Sequence, residues 1–98
     1  MKIVCIPAYN EENTIADIVT RSFKFADKVI VCDDGSSDFT SKKAEHSGAI
    51  VIKHSKNSGK GKSLQSLFEY VKKLDFDVLV TIDGDGQFLP EEIEKLSE

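Results

Sequence analysis

The chain is poor in the residues that build cross-links and metal cages. Its 98 residues include two cysteines and two histidines, and no Cys/His ligand spacing surrounds Cys5 or Cys32. That excludes a disulfide scaffold and a zinc site, and leaves both cysteines as small buried hydrophobes. His46 and His54 stand isolated and read as surface or structural residues. No apolar run approaches the ~20 residues of a membrane-spanning helix, and no signal peptide opens the chain. The expected location is therefore cytoplasmic, either free or peripheral to a membrane. Linkers, repeats and low-complexity stretches are absent, so a single domain over residues 1–98 is expected. Basic charge is also in deficit. A formal net charge of −4 argues against a nucleic-acid partner, although lysines gather locally at 56–62.

What is present is an ordinary globular composition, 40% hydrophobic and 31% charged. A chain of this length buries roughly 60–65% of the surface its unfolded form exposes, enough for one core with a thin margin. Short β-branched runs at 2–6, 28–32, 49–53 and 76–82 read as strands buried on both faces. Pro7 is expected to stop the first, because proline cannot donate to a ladder. Asn10 can cap a helix that carries Glu11 and Glu12 in its first turn and Ile15, Ile18, Val19 and Phe23 on one face. Ser37 or Asp38 can cap a second helix, ending at Gly48. Leu64, Leu67, Phe68, Val71 and Leu74 mark a third, strongly amphipathic helix. Pro90 suits the first turn of a last one, carrying Ile93 and Leu96. Fourfold alternation of strand and helix predicts an α/β fold with a parallel sheet and right-handed crossovers.

Ligands of such sheets bind beyond the carboxyl ends of the strands, where strand order reverses. The acidic and glycine-rich stretches 7–12, 33–38, 55–61 and 83–87 all fall at such ends. Taken singly, each has a bland alternative. Residues 7–12 alone read as a turn and a cap. Asp33-Asp34-Gly35-Ser36 has ordinary turn chemistry, but two adjacent acids after a buried strand favour ligand contact, such as accepting from a ribose hydroxyl or a base N–H. Gly61-Lys62-Ser63 fits the tail of a phosphate loop, yet the leading glycine would be residue 56, which is Lys, so that reading fails. The helix start with its lysines still suits an anion, and a solvated basic loop explains it equally well. Asp83, Asp85 and Glu94 match positions of a calcium loop whose required glycine is here Phe88, so that fails too. A metal held by one or two carboxylates plus ligand phosphates remains, the usual mode of Mg²⁺ or Mn²⁺.

Four motifs in order carry a family resemblance: Ile6-Pro7-Ala8-Tyr9-Asn10-Glu11-Glu12, Val31-Cys32-Asp33-Asp34-Gly35-Ser36-Ser37-Asp38, Asn57-Ser58-Gly59-Lys60-Gly61 and Asp83-Gly84-Asp85-Gly86-Gln87. Together they resemble the N-terminal, nucleotide-sugar-binding half of a family 2 glycosyltransferase of the GT-A fold. Dolichol- and polyprenyl-phosphate mannose or glucose synthases are the most similar members. The resemblance implies a Rossmann-like half with a mainly parallel four-stranded sheet, order 3-2-1-4, and helices on both faces. It implies that Pro7, Tyr9 and Glu11 line the base and ribose, and that Ala8, Asp34, Lys60, Asp83 and Gly84 also meet the nucleotide-sugar. Asp85 and Gln87, with Asp83, resemble the metal-ligand set for Mg²⁺ or Mn²⁺.

The implied partners are a nucleotide-sugar of GDP-mannose or UDP-glucose type and a polyprenyl-phosphate acceptor at a membrane surface. The implied chemistry is inverting transfer, the metal neutralising the leaving diphosphate. Family members continue well past the D-x-D pair, whereas this sequence ends at Glu98. A truncated domain is therefore expected, with no assignable catalytic residue. The competing expectation is a nucleotide-binding or assembly module without independent catalysis. A fourth strand left at the sheet edge would favour a homo-oligomer. A receiver-like domain using Asp33 and Asp34 leaves residues 7–12 and 83–87 unexplained.

Overall fold

The computed structural model describes residues 1–82. Its elements run β1 (Lys2–Ala8), α1 (Ile15–Ser22), β2 (Lys28–Asp33), α2 (Thr40–His46), β3 (Ile50–Lys53), α3 (Lys60–Val71) and β4 (Val78–Thr81). All strand pairs are parallel and the sheet order is β3-β2-β1-β4, as the resemblance implied. The chain walks from β1 outward to β3, then returns to place β4 on the other side of β1. Crossovers of one hand put α1 and α2 on one face of the sheet and α3 on the other when the direction reverses. The final helix expected around Pro90, Ile93 and Leu96 lies outside the described residues.

Strand periodicity sorts the core into two layers. Val4, Ile6 and Ala8 of β1 join Val29 and Val31 of β2 against Ile15, Ile18 and Val19 of α1 and Ala44 of α2. The alternate residues Ile3, Cys5, Ile30 and Cys32 pack against Leu67 and Val71 of α3. Both cysteines are free and fully buried. Desolvation on burial raises both thiols, Cys5 to about 12.

Several local expectations need correction. Pro7 does not end β1, which runs on to Ala8 with Pro7 opposite Cys32. Backbone groups of alternate residues face alternate neighbours, and Cys5 O accepts from Ile82 N on the β4 side (3.0 Å). Pro7 shares that side, while Ala8 O accepts from Asp34 N on the β2 side (2.9 Å). The missing N–H therefore costs no β1–β2 bond. Asn10 does not cap α1, which starts five residues later after a turn closed on Glu11 O. Instead Asn10 takes a left-handed backbone (φ 52°), which asparagine tolerates better than most residues.

Neither expected cap stands at the N-cap of α2, which is Phe39. Asp38, one residue earlier, takes the first helical amide instead, its Oδ1 accepting from Thr40 N at 3.0 Å. Gly48 (φ 101°) closes the helix as expected, with Ala49 N reaching back to Ala44 O at 3.1 Å. On α3 the buried stripe is Ser63, Leu67 and Val71, four residues apart, and Phe68 lies one step round it at 45% exposure. Phe23 and Phe76 are likewise exposed, because α1 ends at Ser22 and β4 begins at Val78.

Candidate functional site

Three of the four expected loops meet beyond the carboxyl ends of β1, β2 and β3. The fourth begins at Asp83, so Asp83, Gly84, Asp85 and Gln87 lie outside the described residues. Ile82 directly before them is buried and hydrogen-bonded to β1.

Loops 9–12 and 36–40 are stitched by side chains that bond the backbone of the opposite loop. Ser36 Oγ accepts from Asn10 N (2.8 Å) and Asn10 Oδ1 accepts from Ser37 N (2.9 Å). Thr40 Oγ1 accepts from Glu11 N (2.9 Å), and Glu12 Oε2 accepts from Phe39 N (3.0 Å) at the start of α2. Asp38 Oδ2 accepts from Glu12 N at 3.3 Å. Burial alone would raise the Asp38 carboxyl. The donors Thr40 and Glu12 outweigh that effect and hold it below the ordinary value.

Asp33 and Asp34 are both almost fully buried, at 3% and 4% exposure. Burying a carboxylate is costly unless donors replace the lost water. Asp33 accepts from Ser36 N (2.9 Å) and from Ser41 Oγ of α2. Asp34 faces the other way. Its Oδ1 accepts from Ser58 N (2.9 Å) and meets His54 Nδ1 (2.7 Å), and its Oδ2 accepts from Gly59 N (2.8 Å). Desolvation raises the Asp34 carboxyl, but His54 and the two amides more than offset it, leaving it below the usual range.

Gly35 completes this junction. It sits at φ 75°, and a Cβ placed there would fall 2.4 Å from Lys56 C and 2.6 Å from Asn57 N. Only glycine lets these two backbones cross so closely.

The expected site residues occupy distinct positions around this edge. Tyr9 is 46% exposed and presents its ring to solvent. Pro7 and Glu11 are half-buried. Ala8 has its side chain in the core and its carbonyl engaged by Asp34 N. Asp34 is interior to the loops, and exposed Lys60 opens α3 directly after Gly59. Between residues 53 and 73 the chain carries six lysines, all exposed, against one glutamate, so this flank is basic despite the net acidity. Among the described residues no cluster of three His, Cys, Asp or Glu side chains could hold a metal ion.

Sequence reasoning missed His54 as a member of the site. It is not isolated: besides Asp34, its Nε2 lies 2.9 Å from Ser66 Oγ and 3.6 Å from Cys32 Sγ. The available signal was its place, one residue past a strand and on the same edge as the acids.

Comparison with known proteins agrees with this architecture. The family model described as "Glycosyl transferase family 2" matches residues 3–98. A UDP-N-acetylglucosamine–dolichyl-phosphate N-acetylglucosaminyltransferase of Methanococcus voltae is 33% identical over 93% of this chain and 43% of its own. An undecaprenyl-phosphate 4-deoxy-4-formamido-L-arabinose transferase of Proteus mirabilis is 32% identical over 95% of this chain and 31% of its own. Glucosyl-3-phosphoglycerate synthase of Mycobacterium tuberculosis, solved with Mn²⁺, UDP and glucosyl-3-phosphoglycerate, superposes with a TM-score of 0.74 at 28% identity. That match covers 96% of this chain and 37% of the synthase, which has also been solved with Mg²⁺ and UDP. The chain thus spans well under half the length of the relatives it matches. With a parallel 3-2-1-4 sheet, its loops gathered at one edge and the family pattern running almost end to end, the chain belongs to glycosyl transferase family 2.

Proposed function

We propose that this chain forms the donor side of a metal-dependent sugar transferase. It binds a nucleoside diphosphate sugar across the edge formed by residues 7–12, 33–38 and 55–61. The observation that carries the reading is the cross-tying of these three loops beyond the carboxyl ends of β1, β2 and β3, the edge on which α/β sheets take their ligands. Loop 7–12 lies beside the strand-order reversal between β1 and β4. Tyr9 offers an exposed ring for the base, and Pro7 and Glu11 flank it. Lys60 and the basic flank attract the diphosphate. Asp34, with three donors on a carboxylate only 4% exposed, serves the donor by shaping the loop ahead of Lys60.

Asp83, Asp85 and Gln87 are assigned to Mg²⁺ or Mn²⁺, and Gly84 to close approach of the sugar. Support comes from the D-x-D spacing directly after buried Ile82 and from the metals bound by the structural relative. Such a metal supplies charge neutralisation at the leaving diphosphate. The acceptor class proposed is a polyprenyl phosphate, as the names of two relatives indicate for those proteins. A phosphate acceptor is ionised near neutrality and needs little help from a general base. No helix among the described residues is long and apolar enough to cross a membrane.

Calorimetry with UDP, GDP and their sugars, with and without Mn²⁺, tests the proposal. Binding of one nucleotide family, weakened by chelator and by Asp85→Ala, is the expected result. Failure of the wild-type chain to bind any of them would sink it. Release of nucleotide on adding a short polyprenyl phosphate would extend the proposal from binding to transfer.

A further inference from the structure

We infer that His54 is a positioning residue for the donor loop. It braces Asp34 at the end of β2 against Ser66 in α3, and so fixes the Ser58 and Gly59 amides and, with them, Lys60. The inference rests on the reading of this edge as a nucleotide site.

The backbone of His54 is anchored first. Its N–H donates to Asp33 O at 2.9 Å, continuing the β2–β3 pairing one step past β3, so the ring is held by the sheet. The side chain is 16% exposed, and the chemistry of its neighbours sets its tautomer. Asp34 Oδ1 already receives Ser58 N–H, and an ionised carboxylate only accepts. Nδ1 therefore carries a proton and donates to Asp34 at 2.7 Å. In the neutral ring, Nε2 is then an acceptor for the Ser66 hydroxyl at 2.9 Å. One imidazole thus joins the end of β2, the end of β3 and the second turn of α3. The carboxylate it steadies receives the two amides that turn the chain into that helix. Gly59 makes the turn at φ 98°, and Lys60 follows it.

The order Asp34–His54–Ser66 also matches the atom order of a hydrolytic triad, but Ser66 lies within α3. Amides at that depth are consumed by i→i−4 bonds, so α3 itself offers no pair of free N–H groups to a substrate oxyanion beside Ser66. The constellation holds a loop; it does not supply a nucleophile.

Three variants of the full chain test this: His54→Ala, His54→Asn, whose amide nitrogen replaces the Nδ1 donor, and Ser66→Ala. Amide hydrogen exchange at Ser58 and Gly59 is read against amides of β1 and β2, and UDP binding with Mn²⁺ is measured in parallel. For His54→Ala, exchange at Ser58 and Gly59 should rise about tenfold beyond any change in the sheet, and UDP affinity should fall by about tenfold, the scale of one charge-assisted hydrogen bond. His54→Asn should restore most of both effects, and Ser66→Ala should fall between. If His54→Ala cannot be purified folded, the Asn and Ser66 variants carry the same comparison. Exchange rising equally throughout the chain, or Ser58 and Gly59 left unchanged, would overturn the inference. If the wild type binds no nucleotide, the donor reading fails, and the exchange data still decide whether His54 holds the loop.

Discussion

The two loop junctions among the described residues are built on opposite principles. Where loop 9–12 meets loop 36–40, five separate side chain–backbone bonds share the load, and most lie in contact with water. Where residues 34–35 meet 54–59, a single buried carboxylate and a single glycine do it. Exposed bonds are individually replaceable, because water takes the place of a lost partner. A buried acceptor is not, because its donors are stranded. The lesson is that the second junction should be brittle and the first tolerant, although both serve one edge.

The largest expected effect comes from Gly35→Ala. Overlap with the Lys56 backbone, added to a strained φ, should cost about 2–4 kcal/mol in denaturant unfolding. A loss below about 0.5 kcal/mol would show that the two backbones do not cross as described. Asp34→Ala follows, stranding the Ser58 and Gly59 amides and His54, with an expected loss of about 2–3 kcal/mol by urea titration. On the tolerant side, Asn10→Ala should cost about 1 kcal/mol, and Asn10→Gly less, since glycine keeps the left-handed backbone. Equal losses at Asp34 and Asn10 would erase the contrast.

Acid sharpens the same contrast by a smaller amount. The folded carboxyls of Asp34 and Asp38 lie below the 3.8 of their unfolded forms, so ionisation stabilises the fold above pH 3.8. That stability is lost as pH falls from there through the folded values. Denaturation midpoints at pH 5 and pH 3 should therefore differ less in Asp34→Asn than in the wild type. Smallest of all, the two thiols should resist alkylation at pH 8 until denaturant is added, because burial keeps them protonated. Rapid native-state labelling of Cys32, which neighbours His54, would mean that this junction opens on its own.

Much of the architecture was legible in the sequence because its period is local. Four β-branched runs, alternating with helical spacing, announce a parallel α/β sheet, and the edge carrying the loops follows from strand direction alone. Individual partners were not legible. Nothing in the local pattern around Asp34 says that its donors come from residues 54, 58 and 59, because that pairing exists only once β3 lies beside β2. Asn10 misled for a similar reason. Its cap chemistry is real, but it is used on Ser37 of another loop and not on its own helix. Pro7 shows how a sound rule fails on side: proline forbids a donor, yet only toward the neighbour its nitrogen faces.

One last consequence follows from Asp33 ending β2 and Asp34 following it, still hydrogen-bonded to β1 through Ala8 O. Successive side chains point through opposite faces, so Asp33 fastens α2 beneath the sheet and Asp34 fastens the turn into α3 above it. The pair acts as a register mark for β2. A deletion of one residue within that strand would turn each acid toward the wrong layer, leaving two charges in hydrocarbon and two sets of donors empty. The register of the central sheet is thus guarded by electrostatics as well as by hydrophobic alternation.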